Sequence, residues 1–393
     1  MFAVPVVGTY CGIPQLTWWL DYHLFGFKEV FIPGTAGKPV GVTVPGFHAT
    51  NLVFHSINTL LVFFIFIVTC TKLKLKPGNV YLIAFITAFI FAVHPQHVES
   101  VAWITERKDL TYTLFFLLAV YAYLTIADIF KRGIVVTLLF VLSLLSKGQA
   151  VSLVPAMLLF NYLLGKGIEW KLYGLLSAIA VIFGLIAIYG QQQQNAIYYT
   201  AINGEFITHG IYNSSYAFWG YLRRFVLPLN LSPIYPFPYK KYGRVDDNLL
   251  YLYPCFSLMA VAILWFQRHN KLLVFGSLFF LFNIVLLLQF IPVGVAIMAD
   301  RYTYIAAIGP AFILGTAAGY LRNYWPKLFY VPLLFTGLLL LYLGHQQTKI
   351  WENDATLWRA AINQEQGIRK GYENLAVYYW ENARQKDSTY FYT

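Results

Sequence analysis

The chain has 393 residues, of which 59% are hydrophobic, 19% are aromatic and only 11% are charged. Soluble domains carry about 25% charged residues, so this composition excludes an ordinary soluble protein and indicates a helical membrane protein. The net charge of +11 does not indicate nucleic-acid binding, because the basic residues are spread between apolar runs. The three cysteines are far apart in sequence and form neither a disulfide framework nor a metal-ligand pattern.

Residues 1–50 are rich in aromatic residues, glycine and proline, and contain no apolar run of about 20 residues. Trp18, Trp19, Leu20 and Tyr22 predict a short helix at the membrane interface, where aromatic side chains are favoured. We interpret this region as part of an extracytoplasmic loop.

Ten apolar runs follow, each near the length that an α-helix needs to cross a bilayer. They cover 51–70, 79–93, 110–130, 134–149, 151–165, 172–190, 250–267, 272–292, 303–320 and 328–345. The sequence therefore predicts an all-α polytopic membrane domain over 51–345 with about ten transmembrane helices.

Basic residues fall on every second connection between these runs, as expected for the cytoplasmic side of a membrane protein. These residues are Lys72, Lys74, Lys76, Lys131, Arg132, Lys166, Lys171, Arg268, Lys271, Arg322 and Lys327. The other connections, which hold every unusual polar cluster, are then extracytoplasmic. An even number of spans also puts the N-terminus outside, so we expect a further helix upstream of Met1.

Two regions outside the spans have helical patterns. Residues 216–231 are amphipathic, with Arg223 and Arg224 beside aromatic residues, and predict a helix that lies at the interface or re-enters the membrane. Residues 346–393 predict two soluble helices, one from Trp351 and one around 374–379. Such a pair is the unit of a tetratricopeptide repeat, and we expect further repeats beyond Thr393.

The polar stretch 94–109 lies between two apolar runs and contains two histidines, two glutamates, an aspartate, an arginine and a lysine. Ionisable groups are expensive near a bilayer core, so the stretch indicates a functional site rather than a capped interfacial helix. A helix continuing to Asp109 would put Glu99, Trp103, Glu106 and Arg107 on one side, and His94 and His97 on the other. That spacing argues against a metal site formed by two histidines and a glutamate.

Three further polar features accompany this stretch. Lys147 either binds a phosphate as a point charge or extends to the membrane interface. Arg301 is suited to binding a phosphate, with Asp300 orienting the arginine. The alternative is a structural ion pair that closes the turn. The stripe of His48, Asn51, His55 and Asn58 has helical spacing and indicates contacts between helices.

The motifs occur in a familiar order. His94-Pro95-x-His97-x-Glu99 and the following Trp103, Arg107 and Asp109 precede Lys147, the Ala299-Asp300-Arg301-Tyr302-x-Tyr304 motif, Trp351 and the helix pair. This order resembles the membrane O-mannosyltransferase-like glycosyltransferases of GT-C fold with C-terminal tetratricopeptide repeats, including their bacterial relatives. The resemblance covers nearly the whole chain from Pro14.

The resemblance implies transfer of a sugar from a polyprenyl-phosphate donor to a protein or glycan on the extracytoplasmic side. The family carries an acidic pair after its first span. No such pair occurs in 1–50, and Asp246-Asp247 does not match by position, so we expect the pair upstream of Met1 and an inactive isolated chain. The implied membrane is the bacterial inner membrane, or that of the endoplasmic reticulum in a eukaryote.

We predict an inverting transfer, in which an acid activates the acceptor hydroxyl and cations stabilise the departing phosphate. The predicted catalytic residues are Glu99, Asp109 and Asp300. The predicted substrate-binding residues are His94, His97, Arg107, Lys147, Arg301 and Tyr302. No cofactor is assigned from the sequence, and a divalent cation is compatible with the chemistry. The alternatives are a non-catalytic membrane scaffold and a transporter, which would need charges near the membrane midplane.

Overall fold

The computed structural model describes residues 11–26, 44–193, 205–237, 252–290, 296–326, 329–364 and 368–390. Within these ranges the chain is almost entirely helical, and strands β1 (Tyr235–Pro236) and β2 (Ala296–Met298) form a short antiparallel pair. The α-helices are α1 (Gly12–Phe25), α2 (Val44–Lys72), α3 (Pro77–Val93), α4 (Val98–Ala102), α5 (Arg107–Thr125), α6 (Ile129–Ser146), α7 (Leu153–Leu164), α8 (Trp170–Gln193), α9 (Glu205–Val226), α10 (Leu252–Phe266), α11 (Lys271–Ile284), α12 (Ile308–Tyr324), α13 (Tyr330–Ile350), α14 (Asp354–Gln364) and α15 (Arg369–Tyr390).

Every one of the ten predicted apolar runs overlaps a helix. By length and composition, three of the described helices can cross a membrane: Pro45–Lys72, Ile129–Ser146 and Trp170–Ala187. A fourth results if α3 and the segment Pro95–Ala102, which are bent by 50° from one another, count as one span. The chain is thus an all-α membrane protein, and the number of about ten spans stays a prediction.

The core of the bundle is built from α2, α3, α5, α6, α7, α8, α11 and α12, which bury aliphatic and aromatic side chains between them. Phe66 of α2 stacks on Phe312 of α12 with ring centroids 4.5 Å apart. Helices α11 and α12 approach closely through Gly276 and Gly309, since a Cβ atom at Gly276 would lie 2.7 Å from the Gly309 carbonyl oxygen. Small residues of this kind allow close helix packing in membranes.

The outward faces of several helices are apolar. Leu185 of α8, Phe266 of α10 and Phe335 of α13 are among the large hydrophobic side chains that the bundle leaves exposed. Extensive apolar surface is a liability in water but suits a helix surrounded by lipid.

The basic connections meet one another at one end of the bundle. The Arg322 guanidinium donates to the Gly78 carbonyl at 3.2 Å. Lys166 is close enough to Lys72 and Arg132 that burial, and then repulsion from these two cations, lowers its pKa. The 17-residue helix α3 leads from this end to His94, a distance of about 25 Å. The polar stretch 94–109 therefore lies at the opposite end.

The helices predicted at the two chain ends are present. Helix α1 exposes Trp19 and Leu24 and buries Asp21. The first C-terminal helix begins at Asp354, not at Trp351, because the Asn353 side chain caps it by accepting from the Thr356 N–H at 3.0 Å. Helices α14 and α15 pack on each other. Their assignment to a tetratricopeptide repeat stays a prediction.

Candidate active site

The polar stretch 94–109 is broken into short pieces, so the continuous helix considered from the sequence is wrong. A 3-10 turn at Pro95–His97, helix α4 and a second 3-10 turn at Ile104–Glu106 precede α5. The breaks fall at His94 and Trp103, whose backbones are extended. Because each extended residue changes the direction of the chain, side chains no longer follow three-and-four helical spacing.

Glu99 and Arg301 form the first ion pair of the site. Arg301 Nη1 lies 2.5 Å from Glu99 Oε1, and the Arg301 backbone N–H donates to Glu99 Oε2 at 2.9 Å. Glu106 approaches the same guanidinium, with Oε1 3.4 Å from Nε. The Arg301 side chain is 18% exposed whereas that of Glu99 is 2% exposed, so the cation is more exposed than the carboxylates that it contacts.

Asp109 and Lys147 form the second ion pair through Oδ1 and Nζ. The Ser100 hydroxyl donates to Asp109 Oδ2 at 3.4 Å. The ring of Tyr302 connects the two pairs, since its centroid lies 5.6 Å from Lys147 Nζ and 4.8 Å from the Arg301 guanidinium carbon. The structure thus brings together five side chains that are predicted to form the site, from three separate parts of the sequence.

Asp300 lies beside these pairs but has a different environment. Its Oδ2 accepts from the Tyr235 hydroxyl at 3.0 Å, and its Oδ1 has no hydrogen-bond partner among the described residues. Tyr235 reaches Asp300 because β1 pairs with β2 and places Tyr235 opposite Met298. The Tyr221 hydroxyl accepts from the Ala299 N–H at 3.2 Å and holds the same turn.

The acids of the site differ in charge state. Burial raises the pKa of Asp109 to about 6, although Lys147 opposes the shift. Burial acts on Glu106 in the same direction, but Arg301, Lys108 and Lys147 together outweigh it and lower the pKa of Glu106. Burial, and then repulsion from Glu99, raises the pKa of Asp300 to about 8. At neutral pH, Glu106 is therefore ionised and Asp300 is protonated.

His94 and His97 do not face the cations, contrary to their assignment as substrate-binding residues. His94 Nε2 is bonded to the Phe225 carbonyl at 2.9 Å, and its ring stacks on the Phe225 ring with centroids 4.7 Å apart. His97 Nδ1 is bonded to the Phe91 carbonyl at 2.7 Å. Both side chains are buried, so their contacts support packing of the stretch rather than contact with a substrate.

Arg107 also points away from the site, so its assignment to phosphate binding is not supported by the geometry. Its Nη1 lies 2.5 Å from Asp21 Oδ2, its Nε donates to Asn51 Oδ1 at 2.7 Å and its Nη2 donates to the Phe47 carbonyl at 2.8 Å. The side chain is completely buried. Arg107 therefore fastens α1 and α2 to α5.

The polar stripe on α2 connects helices, as the sequence indicates. The Asn51 amide donates to the Val101 carbonyl at 3.0 Å, and the Asn58 amide donates to the Leu110 carbonyl at 3.0 Å. His55 is bonded to the Tyr304 hydroxyl at 2.7 Å through Nδ1 and to the Ala92 carbonyl at 3.0 Å through Nε2.

The contribution of α9 to the site was not predicted from the sequence. Arg224, Tyr221 and Tyr235 are buried next to the Asp300 turn, and the Arg224 guanidinium stacks over the Tyr235 ring at 3.9 Å. The amphipathic pattern around Arg223 and Arg224 was visible, but it did not distinguish which of the two arginines is buried.

Two features considered from the sequence, a metal-binding group of side chains and the Asp246-Asp247 pair, are not found among the described residues. In the described ranges, no three His, Cys, Asp or Glu side chains are grouped so as to hold a metal ion. Asp246 and Asp247 lie outside the described residues.

Several curated proteins are similar to parts of this chain. Protein O-mannosyl-transferase TMTC1 of Homo sapiens is 43% identical over 77 residues, which are 20% of this chain and 8% of that protein. Protein O-mannosyl-transferase F38B6.6 of Caenorhabditis elegans is 28% identical over 158 residues, 39% of this chain and 19% of that protein. Protein O-mannosyl-transferase TMTC4 of Homo sapiens is 32% identical over 120 residues, 29% of this chain and 14% of that protein.

The chain spans less than a fifth of the length of each of these relatives. No family model and no solved structure matches it. The relatives named are animal proteins, so the similarity to a bacterial branch stays a prediction. Over the aligned parts, this membrane protein is similar to protein O-mannosyl-transferases, and that similarity supports a glycosyltransferase role.

Proposed function

We propose that this protein is a membrane glycosyltransferase that moves a hexose, mannose by similarity to its relatives, from a polyprenyl phosphate to a hydroxyl of a protein or glycan. The proposal rests on one observation. Two ion pairs, Lys147 with Asp109 and Arg301 with Glu99, lie in one cluster, and in each pair the cation is more exposed than the carboxylate. A partly exposed guanidinium that is oriented by a buried carboxylate, with the Lys147 ammonium beside it, suits an anionic substrate.

Lys147 and Arg301 are the groups that contact the departing phosphate. Trp103 and Tyr302 flank the Arg301 guanidinium, with ring centroids 5.2 and 4.8 Å from its carbon, and restrict its orientation. Glu99 fixes the guanidinium from behind, so Glu99 is a positioning residue. A cation that is already oriented stabilises developing negative charge without reorganising at the moment of reaction.

The reaction is a single displacement at the anomeric carbon. The acceptor oxygen forms a bond to this carbon from the side opposite the phosphate, and the bond between the carbon and the phosphate oxygen breaks. The electron pair leaves with the lipid phosphate, and the hydroxyl proton passes to a carboxylate. The configuration at the anomeric carbon is therefore inverted.

Asp109 fits the role of general base best among the described acids of the site. A base works most efficiently when its pKa lies near the operating pH, and the pKa of Asp109 is raised to about 6. Asp300 is protonated at neutral pH because its pKa is about 8, so we assign it to positioning Tyr235 and the Arg301 turn.

The extracytoplasmic position of the site belongs to the same proposal. Lys72, Arg132 and Lys166 gather at one end of the bundle, and α3 separates them from the site. Cytoplasmic ends of membrane helices carry an excess of Lys and Arg, which favours an extracytoplasmic site.

The test is a transfer assay with the purified full-length protein in lipid nanodiscs, supplied with radiolabelled mannose on either a polyprenyl phosphate or guanosine diphosphate, and with a hydroxyl-bearing acceptor peptide. We expect transfer from the lipid donor only, with inversion, and loss of transfer in Arg301→Gln. The matched control is Arg268→Gln, which removes the same charge from an exposed position. Transfer from the nucleotide sugar without lipid, or undiminished transfer by Arg301→Gln, would reject the proposal.

A further inference from the structure

Arg224 of α9 is a buried cation that has no ion-pair partner among the described residues. Arg224 is 5% exposed, and no carboxylate oxygen of the described residues lies within the ion-pair distance of 4.0 Å from its guanidinium. The structure describes two other buried Arg or Lys side chains, Arg107 and Lys147, and both are paired, with Asp21 and Asp109. Arg224 is thus the exception among the buried Arg and Lys residues of the described ranges.

The neutral contacts of Arg224 leave donor capacity unused. Nη1 donates to the Gly220 carbonyl of the same helix at 3.2 Å and approaches the Met298 sulfur at 3.8 Å. Nε is buried and has no hydrogen-bond partner among the described residues. A guanidinium carries five N–H donors and stays charged in proteins, so burying it without a counterion is costly.

The nearest described acid does not compensate this charge. Asp300 is separated from Arg224 by the ring of Tyr235, which stacks on the guanidinium at 3.9 Å and donates its hydroxyl to Asp300 at 3.0 Å. The pKa of Asp300 is raised to about 8, so Asp300 is neutral at pH 7. Stacking on the Tyr235 ring fixes the plane of the guanidinium. The N–H donors in that plane suit an oxyanion, which a guanidinium binds through two parallel hydrogen bonds.

We infer that Arg224 binds the phosphate group of the lipid-linked donor. The identity of this anion rests on the proposed function, whereas the need for an anion rests on the lack of an ion-pair partner for Arg224 among the described residues. Lys147 and Arg301 are each already neutralised by Asp109 and Glu99, so Arg224 supplies the net positive charge that attracts a phosphate into the site.

The experiment compares two consecutive arginines of α9. Arg223 is exposed and Arg224 is buried, so Arg223→Gln and Arg224→Gln remove the same charge from neighbouring positions. The probes for the full protein in nanodiscs are farnesyl phosphate, farnesol and inorganic phosphate, and the readout is binding by calorimetry without turnover. We expect Arg224→Gln to raise the Kd for farnesyl phosphate at least tenfold and to abolish the preference over farnesol. We expect Arg223→Gln to stay within twofold of the wild type.

Farnesyl phosphate binding by Arg224→Gln with wild-type affinity would overturn the inference. Equal affinity of the wild type for inorganic and farnesyl phosphate would overturn the assignment to a lipid-linked phosphate. If Arg224→Gln does not fold, Arg224→Lys keeps the charge but loses the fork, and we expect it to fold and bind about threefold more weakly. Unchanged affinity in that variant would also contradict the inference.

The loop acids Asp246 and Asp247, which lie outside the described residues, are tested as competing partners of Arg224. The double variant Asp246→Asn with Asp247→Asn removes both charges, and we expect its affinity for farnesyl phosphate to be unchanged. A rise in affinity would identify those acids as partners of Arg224 and would overturn the premise that its charge is unpaired. A protein that binds farnesyl phosphate through Arg224 but transfers no sugar would reject the proposed function and leave standing the phosphate site at Arg224.

Discussion

Arg301 and Glu99 are 202 positions apart in the chain, yet two hydrogen bonds join them, at 2.5 Å from the guanidinium and 2.9 Å from the backbone N–H of Arg301. The carboxylate therefore fixes both the side chain and the main chain of the arginine. This contact joins the polar stretch 94–109 to the Asp300-Arg301 turn in one site.

Arg301→Gln and Glu99→Gln are expected to lower kcat for transfer by about 100-fold or more. The first change removes the oriented cation, and the second removes the carboxylate that orients it. Glu99→Gln tests positioning, since an amide still accepts from the Arg301 N–H. The measurement is turnover by protein with normal membrane insertion. Glu373→Gln, an exposed acid of α15, is the control. Turnover near the wild-type value in both site variants would remove the pair from the mechanism.

The buried pair of Lys147 and Asp109 allows stability to be separated from activity. Lys147→Met or Asp109→Asn alone leaves a buried charge unpaired, and we expect a loss of about 3–5 kcal/mol in the free energy of unfolding. The double variant has no unpaired charge and is expected to regain most of this loss, while transfer stays abolished. Thermal unfolding in detergent and turnover are measured together. Recovery of transfer in the double variant would show that the pair is only structural.

Arg107→Met tests the reassignment of this arginine from substrate binding to packing. The change leaves Asp21 buried without its partner, and we expect a loss of about 3–5 kcal/mol in the free energy of unfolding. At a temperature where the variant is folded, its Kd for farnesyl phosphate is expected to match the wild type. Arg369→Met is the control, because that side chain is 91% exposed. A weaker Kd with unchanged stability would restore Arg107 to the substrate site.

Asp300 predicts a pH dependence of stability. Its pKa is raised in the folded protein from 3.8 to about 8, so the folded state holds the proton more tightly than the unfolded chain. The resulting stabilisation is complete below the unfolded pKa and is lost as the pH rises through about 8.

Asp300→Asn removes this titration and leaves an amide in place of the protonated acid. We expect the midpoint of thermal unfolding to fall less steeply in this variant than in the wild type between about pH 4 and pH 8. Glu352→Gln, at an exposed position, is expected to keep the wild-type slope. Parallel slopes in Asp300→Asn and the wild type would show that Asp300 is ionised throughout.

The helices and their order follow from the sequence by itself. Apolar runs of this length form helices because a backbone in lipid must satisfy its own hydrogen bonds, and each predicted run overlaps a helix. The residues that make the site were also visible, since ionisable groups such as Glu99 and Lys147 stand out between apolar runs. The number of membrane crossings and the roles of these residues in catalysis are not decided by this pattern.

The tertiary structure decided which charges meet. Two extended residues, His94 and Trp103, turn Glu99 towards Arg301 and Arg107 away from it, and helical spacing does not anticipate such breaks. Neighbouring residues of a helix point about 100° apart, so Arg223 faces outward while Arg224 is buried against Tyr235. The packing of Tyr235 and Met298 against α9 determines which of the two arginine side chains is buried.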